Sequence, residues 1–265
     1  MTVLNRNDFL KRASNSEERL LISKIIDKAE LAIKKYEIAF TDFINPAEMA
    51  VVYDIVKNIR DVNFRIFGGG EDCERNIIGF SPEYIELSDS DFPIKAIKIT
   101  RNLKFSGELS HRDYLGSILG LGIDRDKTGD IFVFDEYTLC FVINTVADYI
   151  GTNLIKVGKT AVKTDIIDIE SVSVPAKNTV LKRGTVSSIR IDAVIGSAFN
   201  ISRGRAQDFI KSERVNVNWS TVTSVSFLLK EGDMVSVRGL GRFRISEIGG
   251  KTKKDRTGVI FSMYV

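Results

Sequence analysis

The residues best suited to chemistry are cationic and gather toward one end of the chain. Arg203, Gln207 and Lys211 recur every fourth residue, so on a helix they stand in one column. Arg205 and Arg190 add charge beside it, and no acid interrupts the column itself. A row of cations with an amide is suited to following phosphates. Such binding weakens steeply with salt, because each neutralised phosphate releases counterions. Farther on, Arg238, Arg242 and Arg244 share one parity of an alternating run over residues 234–245, and Val235, Val237, Phe243 and Ile245 share the other. Asn218 follows a shorter alternation, Val215-Asn216-Val217.

Other constellations are weaker. His111 is the only histidine, and no motif sets a nucleophile beside it. It opens a predicted helix, where Asp113 complements the N-terminal dipole. Asp124, Asp126, Thr128, Asp130 and Asp135 imitate a calcium loop, with Gly129 at its sixth position. However, Arg125 and Lys127 oppose a cation, and a strand follows where a helix belongs. A turn accounts for the same residues. Gly68-Gly69-Gly70 lacks the Lys-Ser/Thr of a phosphate-binding P-loop and reads as a turn. Residues 71–75 do not open the apolar-striped helix that a methyltransferase cofactor loop needs. The expectation is therefore no catalysis, no cofactor, no metal and no small-molecule substrate.

The cationic column needs two short helices to hold it. In the first, Ile191, Val194, Ile195 and Ala198 form one apolar stripe after Ser188. Ser202 is a candidate cap for the second, over residues 203–212, whose inward residues are Ala206, Phe209 and Ile210. Asn200-Ile201 joins them in a helix-turn-helix-like pair. Arg203 and Lys211 are expected to face solvent, so reversing both charges should abolish binding to a phosphate backbone without unfolding the chain. Gly239 and Gly241 permit a bend, and residues 249–258 form a Lys-rich hairpin tip or contact loop.

Upstream, residues 17–36 read as a helix behind Ser16, and Pro46 opens another that runs to about residue 60. Residues 63–67 and 76–80 pair as strands around the triple glycine. Residues 91–170 follow the order β-α-β-β-α-β, the ferredoxin-like plan shared by RNA-recognition modules. Phe132, Phe134 and Phe141 lie in its strands, where core packing is favoured over base stacking. A connector over 167–180 contains Pro175.

Composition bounds these readings. Apolar content is 43% and charged content 28%, as in an ordinary soluble protein. No apolar run is long enough to span a membrane, and the beginning lacks a signal-peptide core. Cys73 and Cys140 form no pair motif, which fits a reducing cytoplasm. Residues 177–256 hold 16 Lys/Arg against 7 Asp/Glu, a net of +9; with +3 overall, the remainder carries −6. A basic module attached to a mildly acidic body is an electrostatic footprint for nucleic acid.

The run SSIRIDAVIGSAFNISRGRAQDFIKSERVNVNW, followed by EGDMVSVRGLGRFRI, resembles the S-four RNA-binding domain. The resemblance implies that Arg190, Arg203, Arg205, Gln207 and Lys211 approach an RNA backbone and that Asp192 is structural. Glu213 stands where many such domains have Gly, at the exit of the second helix. HRDYLGSILGLGIDRDKTGDIFV and FGGGEDCERNIIGF extend the resemblance over nearly the whole chain, to the YlmH family of bacterial proteins. That resemblance implies an α+β protein: an N-terminal α/β domain (1–90), a central RNA-recognition-like domain (91–170), an S-four module (180–248) and a closing basic hairpin or tail (249–265). It also implies docking on rRNA of the large ribosomal subunit beside tRNA, in ribosome-associated quality control, and an association with cell division. Two alternatives stay open: an rRNA-modifying enzyme targeted by the S-four domain, and a cell-division adaptor.

Overall fold

The computed structural model describes residues 6–70, 73–102, 107–172, 179–252 and 255–264. Pro175 of the connector, and Glu71 and Asp72 after the triple glycine, lie outside them. The chain divides into two compact units, Met1–Pro175 and Ala176–Val265. Both mix helix and strand, as expected of an α+β protein.

The first unit begins with α1 (Arg6–Leu10) and the long α2 (Ser16–Lys35). The cap of α2 is Asn15, whose side chain accepts from the Glu18 amide, rather than the expected Ser16. Ile22, Ile25, Ile26, Ala29 and Ala32 recur at helical spacing and are buried, so one face of α2 is committed to a core. That core also takes Val52, Ile55 and Val56 of α3 (Pro46–Val56). Asn45 and Glu48 close α3 with a reciprocal capping box, and the helix ends four residues short of expectation. Strands β1 (Ala39–Phe40), β2 (Asn63–Phe67) and β3 (Ile77–Ser81) form an antiparallel sheet in the order β1-β3-β2.

The chain continues through β4 (Ile94–Arg101), α4 (His111–Leu119), β5 (Thr128–Val133), β6 (Tyr137–Ile143), α5 (Asn144–Asn153), a short β7 (Lys156–Val157) and β8 (Thr160–Ile167). Sheet order is β5-β6-β4-β8-β7. With β7 set aside, this is the antiparallel 2-3-1-4 arrangement of a ferredoxin-like domain. Strand alternation sends Ile97, Ile99, Cys140 and Val142 to one face, where they pack with Tyr114 and Ile118 of α4 and Ala147 and Ile150 of α5.

In the second unit, β9 (Thr179–Val186) leads to α6 (Ile191–Phe199) and α7 (Arg203–Lys211). Then come β10 (Val215–Val217), β11 (Ser220–Thr221), β12 (Met234–Val237), β13 (Gly241–Lys251) and β14 (Thr257–Tyr264). The sheet runs β11-β10-β12-β13-β14-β9, so the first and last strands of the unit pair with each other. Residues 234–245 are two strands rather than one. Gly239 (φ +91°) and Gly241 (φ +123°) turn the chain, and Val237 pairs with Gly241. Arg238 therefore lies in the turn, outside any strand parity. The helices cover one face of this sheet. Val194, Ile195, Ala206 and Ile210 meet Val215, Val235, Phe243 and Phe261 there. Rings of Phe199, Phe243 and Phe261 stack edge to face from α6 across β13 to β14.

Candidate nucleic-acid interface

The helix pair is organised around one carboxylate. Asp192, in the first turn of α6, has no solvent exposure. Arg203, at the start of α7, donates from Nε at 3.2 Å and from Nη2 at 3.0 Å to its Oδ2. Gln207, one turn later, donates from Nε2 to the same oxygen at 2.9 Å. Arg190 Nε approaches Oδ1 at 3.4 Å. Burial alone would raise this carboxyl's pKa. Hydrogen bonds from Gln207 and Arg203, with the charges of Arg203 and Arg190, outweigh it and hold the pKa below the ordinary carboxylate value. Ser202 caps α7 by accepting from the Arg205 amide. Arg190 itself occupies the cap position of α6, where Ser188 was expected to lead in.

This geometry divides the expected column. Arg203 and Gln207 turn toward Asp192, and Arg203 keeps half its side chain (49%) exposed. Arg205 and Lys211 are exposed, and neither has an ion-pair partner among the described residues. Reversing Arg203 would thus set a carboxylate against a buried carboxylate, so the expected double reversal at Arg203 and Lys211 would also disturb the fold. The helix face ends at Glu213, whose φ of +57° is the left-handed conformation that glycine adopts freely.

The remaining candidates lie elsewhere. Asn218 and Trp219 both have positive φ and form the two-residue turn between β10 and β11. The Asn218 amide donates to Asp233 Oδ1, and its carbonyl accepts from the Met234 amide, so Asn218 holds a turn. Arg242 and Arg244 project from the sheet face opposite the helices, in register with Ser236 and Ser262. Sequence reasoning passed over Arg214. Its guanidinium stacks 4.4 Å from the Phe209 ring centroid and donates to the Arg238 carbonyl at 2.7 Å. Its position between the α7 exit and β10 was the available signal.

The central domain's sheet has a second face, where an RNA-recognition module carries stacking aromatics. Here Ala96, Phe141 and Ile143 on that face pack with Phe92 against Phe43, Ile77 and Leu87 of the N-terminal half. Phe141 has no exposed surface. A Cβ on Gly69 (φ +107°) would stand 2.9 Å from its ring, so the triple glycine brings backbone onto the aromatic. Core packing is thus the role of Phe141, while Phe132 is half-buried against it and Phe134 pairs with Tyr137.

The calcium-like segment ties the two halves of this unit together. The Asp126 carbonyl accepts from the Phe43 amide, Lys127 pairs with Asp42 at 2.6 Å, and Arg75 donates to the carbonyls of Phe43, Arg125 and Thr128. Among the described residues, no cluster of three or more His, Cys, Asp or Glu side chains is placed to hold a metal. Burial pushes the Cys140 thiol up to about 12, so it stays protonated and unreactive at neutral pH. Burial and the Arg125 charge lower the pKa of His111. No helix among the described residues is long and apolar enough to cross a membrane.

Three family models match in sequence order. These are "YlmH, N-terminal" over residues 17–85, "Putative RNA-binding domain in YlmH" over 88–171, and "S4 domain" over 189–235. The chain is 36% identical over 246 residues to "Ribosome-associated protein quality control protein P2" of Bacillus subtilis, spanning 92% of this chain and 95% of that one. It also shares a fold with the structure titled "Cell division protein ylmH from Streptococcus pneumoniae". That match has a TM-score of 0.51 and 23% identity, over 61% of this chain and 98% of the other. The matched models and the near full-length relative place the chain in the YlmH family.

Proposed function

We propose that this protein is a ribosome-associated RNA-binding factor that grips structured rRNA of the large subunit through the α6–α7 face. The observation that carries this reading is the Asp192-organised helix pair. It fixes Arg190, Arg203 and Gln207 in place and leaves Arg205 and Lys211 exposed beside them. A rigid cationic face of this kind reads phosphate positions and shape, which is how folded RNA is recognised. The basic net charge of residues 177–256 draws RNA toward this unit. The relative named for ribosome-associated quality control supports the ribosome as the setting. A tRNA beside the rRNA site is the finer form of the proposal and rests on the family resemblance. No step requires bond chemistry; the role is to bind and hold.

Sedimentation of the full chain through sucrose gradients in a bacterial lysate tests this. Co-migration with free large subunits at low salt, lost at high salt, is the expected result. Protein that stays at the top of the gradient at every salt concentration would remove the ribosome from the account.

A further inference from the structure

The second unit has a face that the helices do not cover. Residues paired across an antiparallel sheet share a side, so the register lists what stands on it. Asn216 pairs with Ser236, and Ser236 with Arg242, whose guanidinium lies 5.1 Å from the Tyr264 ring centroid. The next row holds the buried Met234, then Arg244, Ser262 and Leu181, the last of these 68% exposed. Among the described residues, no side-chain carboxylate stands in either row. Arg183 follows in the row beyond, across Ile260, and Glu247 is the acid there. At the end of the sheet where α7 passes into β10, Arg214, Arg238 and Arg242 surround a hollow of about 310 Å³. Its one lining carboxylate is Glu213. Gly239 turns the chain next to Arg238, with a φ of +91° that a residue with a side chain rarely adopts.

We infer that this outer sheet face is a second RNA-binding surface, and that its ligand is a single-stranded RNA segment. Guanidiniums and hydroxyls in two adjacent rows that hold no side-chain carboxylate among the described residues complement a phosphate backbone. The Arg242–Tyr264 stack and the exposed Leu181 offer flat or apolar platforms to unpaired bases. A duplex hides its base faces and could not use them. From β10 to β9 the face spans four strand gaps, about 19 Å, which accommodates several nucleotides. The α6–α7 helices lie on the other side of the same sheet, with the core between. The two surfaces can therefore be occupied at once. This inference takes the α6–α7 face as the structured-RNA site but does not depend on it.

The test uses the full chain, a labelled oligouridine as the single strand, and an unlabelled RNA hairpin. The sheet variant is Arg183→Gln/Arg242→Gln/Arg244→Gln. A second, Arg183→Gln/Arg244→Gln, leaves the Arg242–Tyr264 stack intact in case the first fails to fold. The helix variant is Arg205→Gln/Lys211→Gln. Both sheet variants should bind oligouridine about tenfold more weakly or worse, with the salt slope reduced by roughly one per cation removed. The helix variant should keep oligouridine binding and lose the hairpin, and saturating hairpin should leave oligouridine on the wild type. Wild-type affinity in folded sheet variants would overturn the inference. So would displacement of oligouridine by the hairpin, or loss of ribosome binding with oligouridine binding intact, which would mark the face as a protein contact. Oligouridine binding without hairpin binding in the wild type would count against the α6–α7 reading alone.

Discussion

Arg203 reaches back from the first turn of α7 to place two nitrogens within 3.2 Å of Asp192, a carboxylate that no solvent touches. The pair locks the angle between two helices and orients the surface that one of them presents. Asp192→Ala leaves Arg203 and Gln207 without their common acceptor and Arg190 without its ion-pair partner. Arg203 is half exposed and can be rehydrated, so the cost is set by lost hydrogen bonds: about 1–3 kcal/mol. A lower unfolding midpoint for the second unit, with weaker RNA binding, is the expected outcome.

The same carboxylate makes the unit acid-sensitive. Its pKa is lowered in the folded state, so its stabilising contribution is complete above the ordinary unfolded carboxylate value of about 3.9. The contribution is lost as pH falls from there through the lower folded value. Asp192→Asn should flatten this part of the stability-versus-pH curve, which denaturant melts across the acid range would show.

Glu213 takes a left-handed conformation that costs a non-glycine residue about 1–2 kcal/mol. Glu213→Gly relieves the strain but loosens the unfolded chain. A net stabilisation of up to about 1 kcal/mol is expected in chemical denaturation, together with slightly tighter RNA binding from removal of a negative charge.

Phe141 fills the face on which a ferredoxin-like RNA module would stack bases. Phe141→Ala should therefore destabilise the first unit by about 3–5 kcal/mol, as deletion of a buried ring does. At temperatures where the variant remains folded, its RNA affinity should match the wild type.

Most of the secondary structure was legible because its signals are local. The α2 stripe, the Pro46 start, the β-α-β-β-α-β order and Ser202 before α7 each state themselves within a few residues. What failed was tertiary. Asn15 displaced Ser16 as a cap by one residue, an ambiguity of adjacent capping side chains. Residues 234–245 looked like one alternating strand because Gly239 and Gly241 break the chain without breaking the apolar parity around them. The Arg203–Asp192 bond spans eleven positions and two helices, so spacing on α7 alone made Arg203 look free. The burial of Phe141 depends on Phe43 and Gly69, more than seventy residues upstream, and nothing near Phe141 announces it.

The most direct test of the central claim is the affinity of Arg205→Glu/Lys211→Glu for purified large ribosomal subunits across a salt series. Both side chains are exposed and away from Asp192, so the variant should melt like the wild type. The account predicts at least a tenfold loss of affinity and a salt slope smaller by about two. A folded variant that binds with unchanged affinity and unchanged salt slope would contradict the assignment of the α6–α7 face to RNA.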